Sequence, residues 1–254
     1  TVLIFSESSA LPRHGRCFFV HSAYVLTICQ LYGMICKSLL SKREYHQIRT
    51  PCDLHGEKER FESMNFAIIG CGEAGIFAGY ELMHRNPGLK VVTLDQGADI
   101  YTRSCPIVAG KVKECIHCKV CDTMCGFGGA GAFSDGKYNI TNQFGGTLHE
   151  HIGKKKALEL MEYVDQINME NGGEGTKLYS TGNTRIKKLC LENDLHLLDA
   201  SVRHLGTDIN YVVLEHLYAG LKDRMDIFFD TPVRSVEKLA DGYAVTTDKE
   251  RYEG

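Results

Sequence analysis

Residues 65–97 read NFAIIGCGEAGIFAGYELMHRNPGLKVVTLDQG, and this stretch decides the fold. Phe66 to Ile69 is a short continuous apolar run, the pattern of a buried parallel strand. Gly70, Gly72 and Gly75 then spell G-x-G-x-x-G. Ala74, Phe77, Ala78 and Leu82 follow at helical spacing, so a helix begins inside the glycine run and stops at Asn86-Pro87-Gly88. Val91, Val92 and Leu94 form a second apolar strand, closed by Asp95. Each part has a mechanical reason. Gly70 permits the tight turn off the strand, Gly72 lets a pyrophosphate approach the backbone, and Gly75 lets helix and strand pack closely. The phosphates would sit at the helix N-terminus, where free N–H groups and the helix dipole favour anions. Asp95 lies 20 residues beyond Gly75, where an acid accepts hydrogen bonds from the adenosine ribose. The bland alternative is a βαβ unit with a glycine-rich turn and no ligand.

With 254 residues the chain can bury a real core in one or two domains. A formal net charge of -3 gives no broad electrostatic surface for nucleic acid. There is no low-complexity segment and no internal repeat. Eleven cysteines would suit a disulfide scaffold, but such scaffolds are usually small. Beside a dinucleotide motif they read instead as thiols of a reduced, cytoplasmic protein.

Residues 1–63 look unlike the rest: they begin without methionine and hold Cys17, Cys29, Cys36 and Cys52 without a clear amphipathic pattern. Cys17 to Leu40 is largely apolar, which raises a signal peptide or membrane anchor, but His21, Ser22, Gln30, Lys37 and Ser38 interrupt it. Met64 stands immediately before the first strand, and Lys58-Glu59-Arg60 could be encoded by a purine-rich ribosome-binding sequence. Our expectation is therefore that translation starts at Met64 and that residues 1–63 are a non-native or disordered extension, with no membrane association.

Cys115, Cys118, Cys121 and Cys125 follow C-x2-C-x2-C-x3-C, a ferredoxin-like spacing. Gly126, not proline, follows the last, and no second cysteine run exists. Three of these sulfurs with Cys125 or Cys105 could bind one iron–sulfur cluster or a zinc ion, or the set could be reduced, redox-active thiols. In Gly126 to Lys137 the many small residues allow backbone to approach a flat ligand, with Phe127, Phe133, Asp135 and Lys137 interleaved. Gly145-Gly146 marks a further turn.

Ala157, Leu160, Met161, Val164, Ile167 and Asn168 lie on one helical stripe that Gly172-Gly173 stops. Ile186, Leu189 and Cys190 suggest a shorter helix with Cys190 in the core, and Leu195 to Leu198 a strand. Arg203 to Asp208 reads as a polar junction, where His204 is either a structural or a site histidine. Ile209, Val212, Val213, Leu217 and Leu221 give the next helix. Asp226 to Asp230 reads as a strand, and Val233 to Lys238 with Tyr243 to Thr247 as a hairpin around Asp241-Gly242.

From Met64 to Gly254 the chain resembles the N-terminal part of a largely uncharacterised family of bacterial FAD-dependent dehydrogenases with the glutathione reductase-like flavoprotein fold. The likeness rests on Gly70 to Gly75, Cys105-Pro106, Cys115 to Cys121, GGAGAFSDGK (Gly128 to Lys137) and RHLGTD (Arg203 to Asp208). The resemblance implies an α/β fold: a Rossmann-like FAD-binding domain over 64–149 and 205–254 with a β-meander, and a helical insertion over 150–204 facing substrate. It implies FAD contacts from Gly70, Gly72, Glu73, Ala74, Gly75, Asp95, Gln96, Arg103, Gly129, Ala130, Gly131, Ser134 and, through its backbone, Val233. The family usually carries glutamate in place of Asp95 and often lacks a cysteine at Cys125, so a ferredoxin-type cluster is not implied. It also carries a later Gly-Asp motif and a longer substrate domain, so the chain reads as a fragment. The function implied is a FAD-dependent oxidoreductase passing a hydride or electrons between a small-molecule substrate and a redox partner, NAD(P)H among the candidates. Its rivals are an iron–sulfur electron-transfer protein built on Cys115 to Cys125 and a non-catalytic nucleotide-binding module.

Overall fold

A computed structural model describes residues 65–254, together with the backbone of two short strands, β1 (Val2–Phe5) and β2 (Glu62–Ser63). The expectation that Met64 is the start, like most of the reading of 1–63, falls outside the described residues.

The parallel sheet has the order β1-β3-β4-β8, with β3 at Phe66–Ile69, β4 at Val91–Leu94 and β8 at Asp226–Phe228. Helix α1 (Glu73–Arg85) connects β3 to β4. The strands are apolar on both faces because both faces are covered. Ile68 and Val91 point into one core with α1 and α5 (Gly206–Lys222), through Ile76, Leu82, Val213, Leu217 and Leu221. Ala67, Val92 and Leu94 point the other way, against Val245 and Tyr252. Those two belong to an antiparallel meander, β9 (Val233–Lys238), β10 (Tyr243–Thr247) and β11 (Arg251–Glu253), with β2 on its edge. The turn between β9 and β10 holds Gly242 at φ 101°, a left-handed conformation that favours glycine. Meander, parallel sheet and helices thus stack as three layers.

A third sheet, antiparallel with order β5-β7-β6, was not anticipated. It pairs β5 (Lys137–Ile140) with β7 (Ser201–His204), and β7 with β6 (Leu178–Ser180). The segment expected to be a helical insertion therefore shares a sheet with residues before its assumed boundary. α2 (Leu148–Ile152) and α3 (Lys154–Asn168) lead into a π turn at Met169–Gly173. Ile167 reaches the same core as α5.

Four expectations are corrected. Leu195 to Leu198 is irregular, and the strand lies further on, at β7. Arg203 and His204 belong to β7, not to a junction. The short helix α4 (Thr184–Leu191) exists, but Cys190 is only half-buried, and Ile186 and Leu189 are 48% and 58% exposed. Periodicity shows that such a helix has an apolar face, not that anything covers it. The strand expected over Asp226 to Asp230 ends at Phe228, where Asp230 turns to φ 48°. Among the described residues, no helix is long and apolar enough to cross a membrane.

Candidate nucleotide site and its surroundings

The turn after β3 is built as its glycines require. Gly70 sits at φ 100°, and its amide donates to the Leu94 carbonyl at 2.8 Å, tying the turn to the end of β4. Gly72 is extended, at φ -68° and ψ 177°, and heads α1. A Cβ placed on Gly72 would find no protein atom within 4 Å. A Cβ on Gly75 would lie 2.0 Å from the carbonyl oxygen of Gly70. The first glycine position is thus held by backbone conformation, the third by contact, and the second by neither. The first-turn amides of α1 have no carbonyl of their own helix to meet, so they face the space beside Gly72. Ala74, the second residue of α1, is buried.

Asp95 is 6% exposed and its carboxylate is already engaged. Oδ2 accepts the Cys71 amide at 2.6 Å. Oδ1 accepts the amides of Gly97 and Gly126 at 2.7 and 2.9 Å. A carboxylate offers about four acceptor positions, so this arrangement leaves one. The short aspartate side chain is drawn back onto the backbone, where it joins the glycine turn, the exit of β4 and the end of the cysteine loop. The neighbouring Gln96 is exposed, with Nε2 3.3 Å from Cys125 Sγ. Val233 opens β9 opposite Thr247 and packs beside the core formed by Leu94 and Tyr252.

The glycine-rich loop is not free. Its Gly128 amide donates to the Cys71 carbonyl at 2.8 Å, and a Cβ on Gly129 would come 3.1 Å from Gly72 Cα. Gly129–Phe133 winds into a short 3-10 helix that takes in Ala130 and Gly131, and Ser134 terminates it. Phe127 is buried edge-on against Tyr218 and Phe229. Asn210 of α5, which the sequence reading passed over, donates to the Gly131 carbonyl at 2.9 Å and accepts from the Tyr138 hydroxyl at 3.0 Å. Asn210 is 2% exposed, and its burial and partners come only with the fold.

Arg103 acts on the backbone. Its Nε and Nη2 donate to the Asp122 carbonyl at 2.8 and 2.7 Å, Nη1 to Phe127 at 2.5 Å and Nη2 to Gly129 at 2.7 Å. The guanidinium also lies 4.9 Å from the Phe133 ring centre. It closes the cysteine loop onto the glycine-rich loop. Arg203 is likewise engaged within the protein. It makes a two-point pair with Asp165 at 2.6 and 2.8 Å and donates to the Thr176 carbonyl. His204 lies on the surface, 3.8 Å from Asp135.

The cysteine run is not gathered. Among the described residues, no three histidine, cysteine or carboxylate side chains are placed to hold a metal ion. Cys115 and Cys118 are exposed, whereas Cys121 and Cys125 are half-buried and turned towards Arg103 and Gln96. Within the run, His117 takes a left-handed backbone conformation at φ 52°. The iron–sulfur and zinc readings therefore find no ligand set in this arrangement. Hydrogen bonds from the Val108 amide, the Thr123 hydroxyl and the Ile107 amide pull the Cys105 thiol pKa down. Burial, then the Asp95 charge, pushes that of Cys71 well up, so Cys71 is inert.

Glu73, at the first position of α1, keeps a solvent-exposed edge, yet the protein packed around it pushes its carboxyl pKa up. Its Oε1 lies 2.3 Å from where a Cβ on Gly131 would stand. Gly131 is therefore the seat of the Glu73 carboxyl, which turns off the helix axis towards Tyr138.

No protein-family model matches the chain, and no curated protein matches it. Among solved structures it is similar to glycine oxidase from Geobacillus kaustophilus, at 15% identity and TM-score 0.41, covering 75% of this chain and 53% of that one. Glycine oxidase from Bacillus cereus ATCC 14579 gives 12% identity and TM-score 0.39, covering 76% and 53%. L-proline dehydrogenase from P. horikoshii gives 11% identity and TM-score 0.32, covering 76% and 51%. The chain spans about half the length of these structures. TM-scores this low describe a likeness in part, and the named activities belong to those proteins.

Proposed function

We propose that this chain is the nucleotide-binding part of a flavin-dependent oxidoreductase and that FAD binds at Gly70 to Gly75. One observation carries the reading: the backbone at Gly72 is open in front of a 13-residue helix, with no protein atom within 4 Å of a Cβ placed there. A pyrophosphate fits that space because amides and dipole face it and no side chain fills it. The amides of Gly72, Glu73 and Ala74 would hold the phosphates. Asp95 would hold the turn in shape, with Gln96 at the exposed edge where an adenosine ribose would lie. The Gly129 to Ser134 segment, seated on the turn, would border the remainder of the cofactor, and Arg103 would keep that segment in place. Bound flavin supplies hydride or electron transfer; the protein supplies binding and orientation. NAD(P) is the alternative occupant, since it presents the same adenosine pyrophosphate.

The test is the absorbance of the full-length protein as purified, before and after denaturation. Released flavin in near-stoichiometric amount is the expected result. Absence of flavin together with tight NADH binding would overturn the FAD assignment.

A further inference from the structure

We propose that the cavity bounded by α1, β5 and α3 is a binding site for a small organic ammonium ion, held by the Glu73 carboxylate against Phe144, Leu148 and Met161. The site goes beyond the flavin reading and adjoins it, sharing Ser134 with the segment proposed to border the cofactor, so binding here and flavin content are read separately in the test.

The cavity measures about 230 Å³. Most of its polar lining is already committed. The Tyr138 hydroxyl donates to Asn210 at 3.0 Å, and that of Thr141 donates to the Asp199 carbonyl at 2.7 Å. Ser134 Oγ accepts the Gly136 amide at 3.1 Å, and the Lys137 ammonium meets Asp135 at 2.6 Å. Among the described residues, the Glu73 carboxyl has no hydrogen-bond or ion-pair partner. Lys137 and Asp135 cancel, so the wall keeps one unmatched negative charge, and a carboxylate can only accept hydrogen bonds. Glu73 is solvent-exposed, and the group that would displace water from its carboxylate is a cationic N–H donor.

Size and wall chemistry narrow the class. At ~30 Å³ per water, the cavity holds roughly eight water-sized groups. Phe144, Leu148 and Met161 make part of the wall apolar, which suits a hydrocarbon body better than a hydrated metal ion. The absence of a side chain at Gly131 leaves the space in which the Glu73 carboxyl lies, with Oε1 2.3 Å from where a Cβ would stand.

The experiment titrates the full-length protein calorimetrically with benzylammonium, about eight non-hydrogen atoms and so matched to the cavity. Benzoate serves as the anionic counterpart, and released flavin is read in parallel. Saturable binding of benzylammonium and none of benzoate is expected. Glu73→Gln should weaken binding about tenfold or more through loss of a charge-assisted hydrogen bond. Met161→Trp, which fills the cavity from α3 without touching the charge, should abolish it. Thermal melts establish that each variant is folded. No saturable binding, equal binding of benzoate, undiminished binding by the folded variants, or displacement of flavin by benzylammonium would each overturn the proposal.

Discussion

The two glycines Gly72 and Gly75 offer a paired test, because the structure separates what each is for. Replacing Gly72 by valine asks little of the fold. Its backbone is extended at φ -68° and ψ 177°, which a β-branched residue adopts readily, and a Cβ there meets no protein atom within 4 Å. Reduced freedom of the unfolded chain favours the substitution by about 0.4–1 kcal/mol. Loss of glycine from the helix cap, where glycine ranks well above valine, costs about the same or somewhat more. The net change in stability should fall within about 1 kcal/mol of zero. The ligand meets the opposite situation, because the valine side chain takes the space in front of the first-turn amides. Losing two charged hydrogen bonds at ~1.5–3 kcal/mol each weakens nucleotide binding by about 10²- to 10⁴-fold. Gly75→Ala inverts the pattern. Its Cβ would stand 2.0 Å from a backbone oxygen that cannot rotate away. Overpacking of that kind costs about 1–3 kcal/mol, or roughly 2–10 °C in melting temperature for a chain of this size. The assay is a thermal melt with flavin content for each variant. If Gly72→Val retains wild-type flavin while folded, or if Gly75→Ala melts like the wild type, the geometric reasoning is wrong.

Three further outcomes are expected. Asp95→Asn replaces one accepting oxygen by a donor that faces either the Cys71 amide or those of Gly97 and Gly126, and should lower stability by about 2–4 kcal/mol in a urea melt; an unchanged midpoint would refute the bracing role. Arg203→Met leaves Asp165 charged and unpaired at a site where both side chains are 11% exposed, with an expected cost of about 3–5 kcal/mol by the same measurement. Cys105, whose pKa is pulled down, holds more thiolate at neutral pH than Cys71, whose pKa is pushed up, so iodoacetamide should label Cys105 well before Cys71 in the native protein; peptide mass analysis of the labelled sites gives the order.

The parts of the fold legible in the sequence are those whose cause is local. The strand at Phe66–Ile69, the helix that follows and the strand at Val91–Leu94 declare themselves through apolar runs and glycine spacing within one short stretch. The hairpin around Gly242 does so through its turn chemistry. The sheet joining Lys137–Ile140 to Ser201–His204 is different, since polar residues alternate in both strands and their partners are more than sixty residues apart. The same holds at the site. The glycines were readable because their roles are backbone roles. Asp95 was read as a ligand contact from its type and spacing, and Arg103 from the family resemblance; the partners that the fold gives them, Gly126, Asp122 and Phe127 among them, are residues that only the folded chain brings near. Asn210 escaped because nothing in its own helix marks it as the partner of Gly131 and Tyr138.

Arg103 grips the carbonyl of Asp122, and so the two ends of the intervening cysteine loop are stapled together independently of what the loop contains. For a closed loop the entropic cost rises only with the logarithm of its length, about 0.6 kcal/mol for each doubling. Residues 104–121 are therefore a segment whose change in length costs little in chain entropy. The loop is, in engineering terms, a place to graft a tag or a reporter peptide, provided that the bonds of Ser104, Cys105 and Cys121 to residues 122–125 are kept.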